Sequence, residues 1–175
     1  SEQTLRRCRE IFAIEPDGLI LIRNALPRVQ PTGPAPGLDR LLMLGRMVPT
    51  KGFDVVIRAL PLILAEHPGA RLVAGGEGPV KAQIAALADS LGVGHALNCV
   101  GWIDPDRVQN AMADSDIVIV PSRYEEPFGL VALEAAWAGR PVVASDVGGL
   151  REVVDRDVTG LLVPPEDPAA LAAAT

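Results

Sequence analysis

From Asp39 onward the chain repeats one pattern. A short aliphatic run is followed by a polar or glycine-rich break and then by a longer segment of helical spacing. The aliphatic runs fall at residues 41–44, 71–74, 97–100, 117–120, 141–144 and 161–163. The helical segments between them fall at 53–66, 79–91, 106–113, 129–138 and 150–154. Strands of nearly unbroken aliphatic character are buried on both faces. Their alternation with helices predicts right-handed crossovers and a parallel sheet. The expected fold is therefore α/β, a doubly wound parallel sheet of about six strands. Ligands of such sheets bind beyond the carboxyl ends of the strands, which selects the loops that matter.

The first 38 residues read differently. A short helix is expected over 4–13 and a strand over 19–23. Pro27, Pro31, Gly33, Pro34, Pro36 and Gly37 then crowd together. Proline lacks the backbone donor that helices and sheets use, so this stretch reads as an irregular linker with a domain boundary near Gly37. At the other end Asp167 can cap a helix that opens on Pro168. That helix breaks off at Thr175, so the chain is expected to continue.

Composition narrows the function. Of 175 residues 49% are hydrophobic, yet only three Phe, two Trp and one Tyr are aromatic, so the core must be aliphatic. The net charge of −6 and the scarcity of rings weigh against a nucleic-acid binder, which needs a basic stripe or stacking platforms. The charge is also uneven. Residues 1–80 hold 10 basic and 8 acidic side chains, whereas 81–175 hold 6 basic and 14 acidic. Such asymmetry suits a ligand with one charged and one polar end, or else is a solvated acidic surface. Cys8 and Cys99 form no C-x-x-C pair and have no histidine cluster beside them, so neither zinc nor redox chemistry is indicated. Free thiols point to the cytoplasm. The charged N-terminal segment does not read as a signal peptide, and no apolar run approaches the roughly 18 residues expected of a membrane span.

Four loops at the expected ligand edge carry the chemistry. The first, Gly45 to Gly52, contains Arg46 and Lys51 flanking a helix start. It is neither a Walker A loop nor a G-x-G-x-x-G fingerprint. A guanidinium fork and an ammonium beside a helix N-terminus suit a diphosphate, or are two surface cations beside a turn. The second, Gly75-Gly76-Glu77-Gly78-Pro79, fits a tight strand-to-helix turn that would also let a base or ribose lie against bare backbone. The third runs from Pro121 to Trp137. Pro127 and Gly129 force the helix to begin near Phe128 or Gly129, leaving Glu126 in the loop and the amides of Phe128, Gly129 and Leu130 free for a phosphate or a hydroxyl-rich group. Glu134 is the sole charge between Gly129 and Gly139, on a helix expected to be largely buried. A buried carboxylate needs donors, which a ribose diol, Arg123, Arg140 or solvent could supply. The fourth loop, Ser145 to Gly149, opens a helix whose first turn holds Glu152, where capping accounts for the carboxylate. Asn98 to Trp102 ends the third strand, where it could lie against a nucleobase.

Read together, these segments resemble the C-terminal, nucleotide-sugar-binding domain of the group 1, GT-B-fold retaining glycosyltransferases. The matching pieces are Gly45-Arg46 with Lys51-Gly52, the Gly75–Pro79 turn, Glu126 and Glu134 as an E-x(7)-E motif, and Val147-Gly148-Gly149 with Glu152. The resemblance covers residues 39–175. It implies that Arg46 and Lys51 hold the diphosphate of a nucleoside-diphosphate sugar and that Glu134 binds the ribose. Glu126 would contact the transferred hexose, helped by the amides of Phe128, Gly129 and Leu130. Glu126, Arg46 and Lys51 would carry catalysis without a metal or other cofactor. Residues 1–38 would be the tail of an N-terminal acceptor domain plus linker, and the C-terminal helices would be cut short. Donor binding without efficient transfer is then expected of this piece alone, in the cytoplasm, with a peripheral position of the full-length protein at the inner membrane face left open. A non-catalytic nucleotide- or sugar-binding regulatory module and a sugar-nucleotide 2-epimerase-like protein are the alternatives. A phosphoacceptor receiver would need an acidic pocket at the first strand, where Arg46 and Lys51 stand instead.

Overall fold

The computed structural model describes residues 1–13, 15, 18–22, 24 and 37–175. The six expected runs form six strands: β1 (Arg40–Leu44), β2 (Arg71–Gly75), β3 (Leu97–Gly101), β4 (Ile117–Val120), β5 (Val142–Ser145) and β6 (Gly160–Val163). They make one parallel sheet in the order β3-β2-β1-β4-β5-β6. Among the described residues seven α-helices accompany them: α1 (Glu2–Phe12), α2 (Phe53–Glu66), α3 (Lys81–Ser90), α4 (Pro105–Ala113), α5 (Leu130–Trp137), α6 (Leu150–Val153) and α7 (Pro168–Ala173). The result is a three-layer, Rossmann-like α/β architecture.

Alternation along each buried strand fills two cores. Leu41 and Met43 of β1 point to one face, where they join Val56 and Leu60 of α2, Ile84 of α3 and Leu171 of α7. Leu42 points to the other, with Val118, Met112 of α4, Ala132 and Ala135 of α5 and Leu150 of α6. From β1 the chain winds outward through β2 to β3, then crosses back to lay β4 on the free side of β1. The winding direction therefore reverses between β1 and β4, and the loops after these two strands diverge to leave a crevice.

The carboxyl edge is assembled by backbone approaching backbone. Gly52 ends a 3-10 turn (Pro49–Lys51) at φ 72° and lies directly on the Pro121 carbonyl, which a Cβ would strike. A side chain there would push the Lys51 turn away from the exit of β4.

The opposite edge is held by Asp116, which composition and spacing do not single out. Its carboxylate is buried just ahead of β4. It accepts from the amides of Gly37 (3.1 Å), Asp39 (3.1 Å) and Arg40 (2.8 Å) and from the Arg40 guanidinium (Nη2, 3.1 Å). This ties the entry of β1 to the entry of β4.

The N-terminal expectations fare less well. The helix forms as α1, with Ser1 Oγ accepting from the Thr4 amide at 3.2 Å. The strand expected at 19–23 does not. Residues 19–22 are not in a strand, and Arg23 lies outside the described residues. Ile20 and Ile22 are 86% and 85% exposed. A strand needs a neighbouring strand to satisfy its backbone, and all six strands of the sheet come from residues 40–163. Residues 25–36, most of the expected linker, lie outside the described residues.

Asp116→Ala leaves three backbone amides without their acceptor. It is expected to lower stability by about 2–4 kcal/mol, measured by urea unfolding. A loss below about 0.5 kcal/mol would mean that water replaces the carboxylate without cost.

Candidate functional site

Two adjoining cavities open at the carboxyl ends of the strands. The smaller, about 330 Å³, lies over the crevice between β1 and β4. Lys51, Ser122, Tyr124, Glu126 and the start of α5 line it. Glu126 is its centre, with a side chain only 12% exposed. One oxygen, Oε2, accepts from Lys51 Nζ at 2.8 Å and from Ser122 Oγ at 2.9 Å. The other accepts from the Tyr124 hydroxyl at 3.1 Å. The Lys51 ammonium also lies 5.3 Å from the centroid of the Tyr124 ring, within cation–π range.

The loop after β4 delivers these groups because α5 starts late. Gly129 caps it in the left-handed region (φ 94°), and helical structure begins at Leu130. No described residue accepts from the amides of Phe128, Gly129 or Leu130. They are oriented donors at the positive end of a helix dipole. Beneath them Gly148, at φ 53°, fits against the backbone of Glu126, and the Gly149 amide donates to the Glu126 carbonyl at 2.6 Å. The glycine pair after β5 is thus a floor on which Glu126 is set.

The larger cavity, about 610 Å³, is lined by Arg46, Gly75, Gly76, Glu77, Trp102, Ile103, Gln109 and Glu134. It shares Leu44 and Val131 with the smaller one. The Glu134 carboxylate makes no hydrogen bond or ion pair with any described residue. Burial pushes its pKa above the usual carboxylate value. Neither arginine considered from sequence pairs with it. Arg123 binds Asp54 and Glu166, and Arg140 turns to the carbonyls of Met112 and Ala113. Gln109 Oε1 is buried in the same wall without a partner.

The structure therefore gathers Lys51, Glu126, Phe128, Gly129 and Leu130 around one cavity and sets Arg46 and Glu134 in its neighbour. Trp102, from the β3 exit, lines the larger cavity and is 70% exposed. Glu152 lies in the first turn of α6, and one of its oxygens accepts from the Glu2 amide of α1 at 2.8 Å. Ser122, Tyr124 and Gln109 were not singled out from sequence. Ser122 and Tyr124 stand within four residues of Glu126, and that proximity is the signal that could have found them.

A parallel sheet reversing between β1 and β4, with a paired carboxylate and lysine at the switch point, makes a Rossmann-like α/β domain that matches GT-B-type neighbours among solved structures. The model of the group 1 glycosyl transferases matches residues 30–175, and the chain belongs to this family. It is 42% identical over 132 residues to an uncharacterized glycosyltransferase of Methanocaldococcus jannaschii, covering 75% of this chain and 33% of that protein. It is 43% identical over 143 residues to glycogen synthase of Mycobacterium tuberculosis, covering 82% and 33%. Among solved structures, Anabaena HepE in complex with UDP-glucose is similar at a TM-score of 0.71 and 28% identity, over 77% of this chain and 37% of that one. The chain thus spans about a third of the length of the curated relatives it matches.

The raised pKa of Glu134 has a measurable consequence. The folded state holds the Glu134 proton more tightly than the unfolded state does. Its contribution to stability is therefore most favourable below the ordinary glutamate value and is lost as pH rises through the raised value. Glu134→Gln removes a half-buried charge without changing shape. It should melt higher than the parent at about pH 7, and the gap should close below about pH 4. A constant difference across that range would show that the carboxylate does not carry the effect.

Proposed function

We propose that this domain binds the nucleoside-diphosphate sugar used by a retaining, metal-independent glycosyltransferase that moves a hexose to an acceptor. The observation that carries the reading is the pair of adjoining cavities with complementary chemistry. The larger has an unpaired carboxylate, Glu134, suited to accept from a ribose diol. The smaller has Lys51, Glu126 and three unused amides, suited to a phosphate and to sugar hydroxyls. The nucleoside would lie in the larger cavity and the sugar in the smaller, with the diphosphate passing the wall they share at Leu44 and Val131. The UDP-glucose complex of HepE, a similar structure, supports this choice of ligand class.

Each group then has a chemical task. Lys51 spends one of its three donors on Glu126 and keeps two for phosphate oxygens. Arg46, exposed at the rim of the larger cavity, would approach the diphosphate from the other side. Two cations and a helix N-terminus balance a charge that many enzymes give to Mg²⁺, which is the basis for proposing no metal. Stabilising the departing nucleoside diphosphate is the main electrostatic work. The acceptor would attack on the face that the leaving group vacates, which retains the anomeric configuration. Glu126 would orient the sugar by accepting from its hydroxyls.

The acceptor is proposed to bind a separate N-terminal domain. Transfer requires the cleft between the two, so the domain alone should bind donor yet transfer slowly. A cytoplasmic location is proposed from the two free thiols, Cys8 and Cys99. No helix among the described residues is long and apolar enough to cross a membrane.

Titration calorimetry with UDP, GDP, ADP and their sugar conjugates, in EDTA, tests the reading. One nucleotide series should bind. Lys51→Ala and Glu134→Ala should each weaken it about tenfold, or about 1.4 kcal/mol. Silence across the whole panel would overturn the reading, and binding that requires added Mg²⁺ would overturn its metal independence.

A further inference from the structure

Arg123 takes no part in either cavity, yet it is the most heavily engaged cation around the site. Nη1 and Nη2 grip the two Asp54 oxygens, both at 2.7 Å. Nε donates to Glu166 Oε1 at 2.8 Å, and Nη1 also reaches the Pro49 carbonyl at 3.0 Å. The Arg123 amide donates to the Thr50 carbonyl at 2.9 Å. Pro49 and Thr50 immediately precede Lys51, and Asp54 follows it in the first turn of α2. The chain on both sides of Lys51 is therefore fastened to one residue of the loop that also carries Ser122 and Glu126.

We propose that Arg123 is the positioning residue for Lys51: its guanidinium clamps the Pro49–Asp54 turn against the loop after β4 and so holds the ammonium on Glu126. Lys51 has a long, flexible side chain, and its ammonium meets Glu126 reproducibly only if its own backbone is fixed. Gly52 on the Pro121 carbonyl sets the closest approach of the two segments, and Arg123 sets their register. A fork that binds one carboxylate through two nitrogens and a second through Nε fixes direction as well as distance, which a lysine at this position could not do. Glu166, held in the left-handed region at φ 59°, extends the clamp to the loop between β6 and α7. The inference rests on reading Lys51 as the phosphate-binding cation of the smaller cavity.

The chain contains two lysines, Lys51 and Lys81, which permits a direct test. Lys81 pairs with Glu77 at 2.7 Å on α3 and serves as the internal reference. Trace acetylation of the protein, read by mass spectrometry, reports the reactivity of Lys51 relative to Lys81. Arg123→Met should raise that ratio several-fold and weaken binding of UDP, GDP or ADP (whichever the parent binds) about tenfold. The double variant Arg123→Met/Lys51→Met should bind no more weakly than Lys51→Met, because Arg123 acts through the residue already removed. Asp54→Asn, which loosens the same fork, should move the ratio in the same direction and stands in if Arg123→Met does not fold. An unchanged ratio, a parallel rise at both lysines, or additive losses in the double variant would overturn the proposal. If the parent binds none of the three nucleotides, the reading of the site fails, while the acetylation ratio still decides whether Arg123 holds Lys51.

Discussion

Everything at the carboxyl edge of the sheet depends on loops that touch through their backbones. The turn before α2 lies on the Pro121 carbonyl at Gly52, and the loop carrying Glu126 lies on Gly148. At neither contact is there space for a Cβ. The cost is conformational freedom lost at several glycines, and the return is a rigid stack of adjacent loops. A carboxylate and an ammonium from segments 75 positions apart can then meet at 2.8 Å. Side-chain packing alone would not hold that distance, because long loop side chains have rotamers to spare.

The electrostatics are distributed unevenly, and the unevenness is informative. Glu126 is fully provided for, with an ammonium and two hydroxyls around it. Glu134, eight positions further along the chain, is half-buried with no hydrogen-bond or ion-pair partner among the described residues. Asp116 is the contrast: a buried carboxylate whose acceptor capacity is met by backbone amides and Arg40, far from the crevice.

The alternation of aliphatic runs and helical segments determined the sheet, its strand count and its flanking helices, because strands buried on both faces and helices with one apolar side leave few other arrangements. The spacing of Pro127, Gly129 and the following apolar helix likewise determined that Glu126 stands in a loop ahead of α5. Local rules settle such features, since they depend on residues close in the chain. What required the tertiary structure was every relation between distant segments. Glu126 reaches Lys51, Ser122 and Tyr124; Arg123 turns to Asp54 and Glu166 rather than to Glu134; Arg46 stands in the neighbouring cavity; and the strand expected at 19–23 is absent over the described residues 19–22. Sequence spacing sets which groups are available. Which of them meet is decided by strand order and loop stacking, because a contact across the sheet is fixed by three-dimensional registry and leaves no trace in local periodicity.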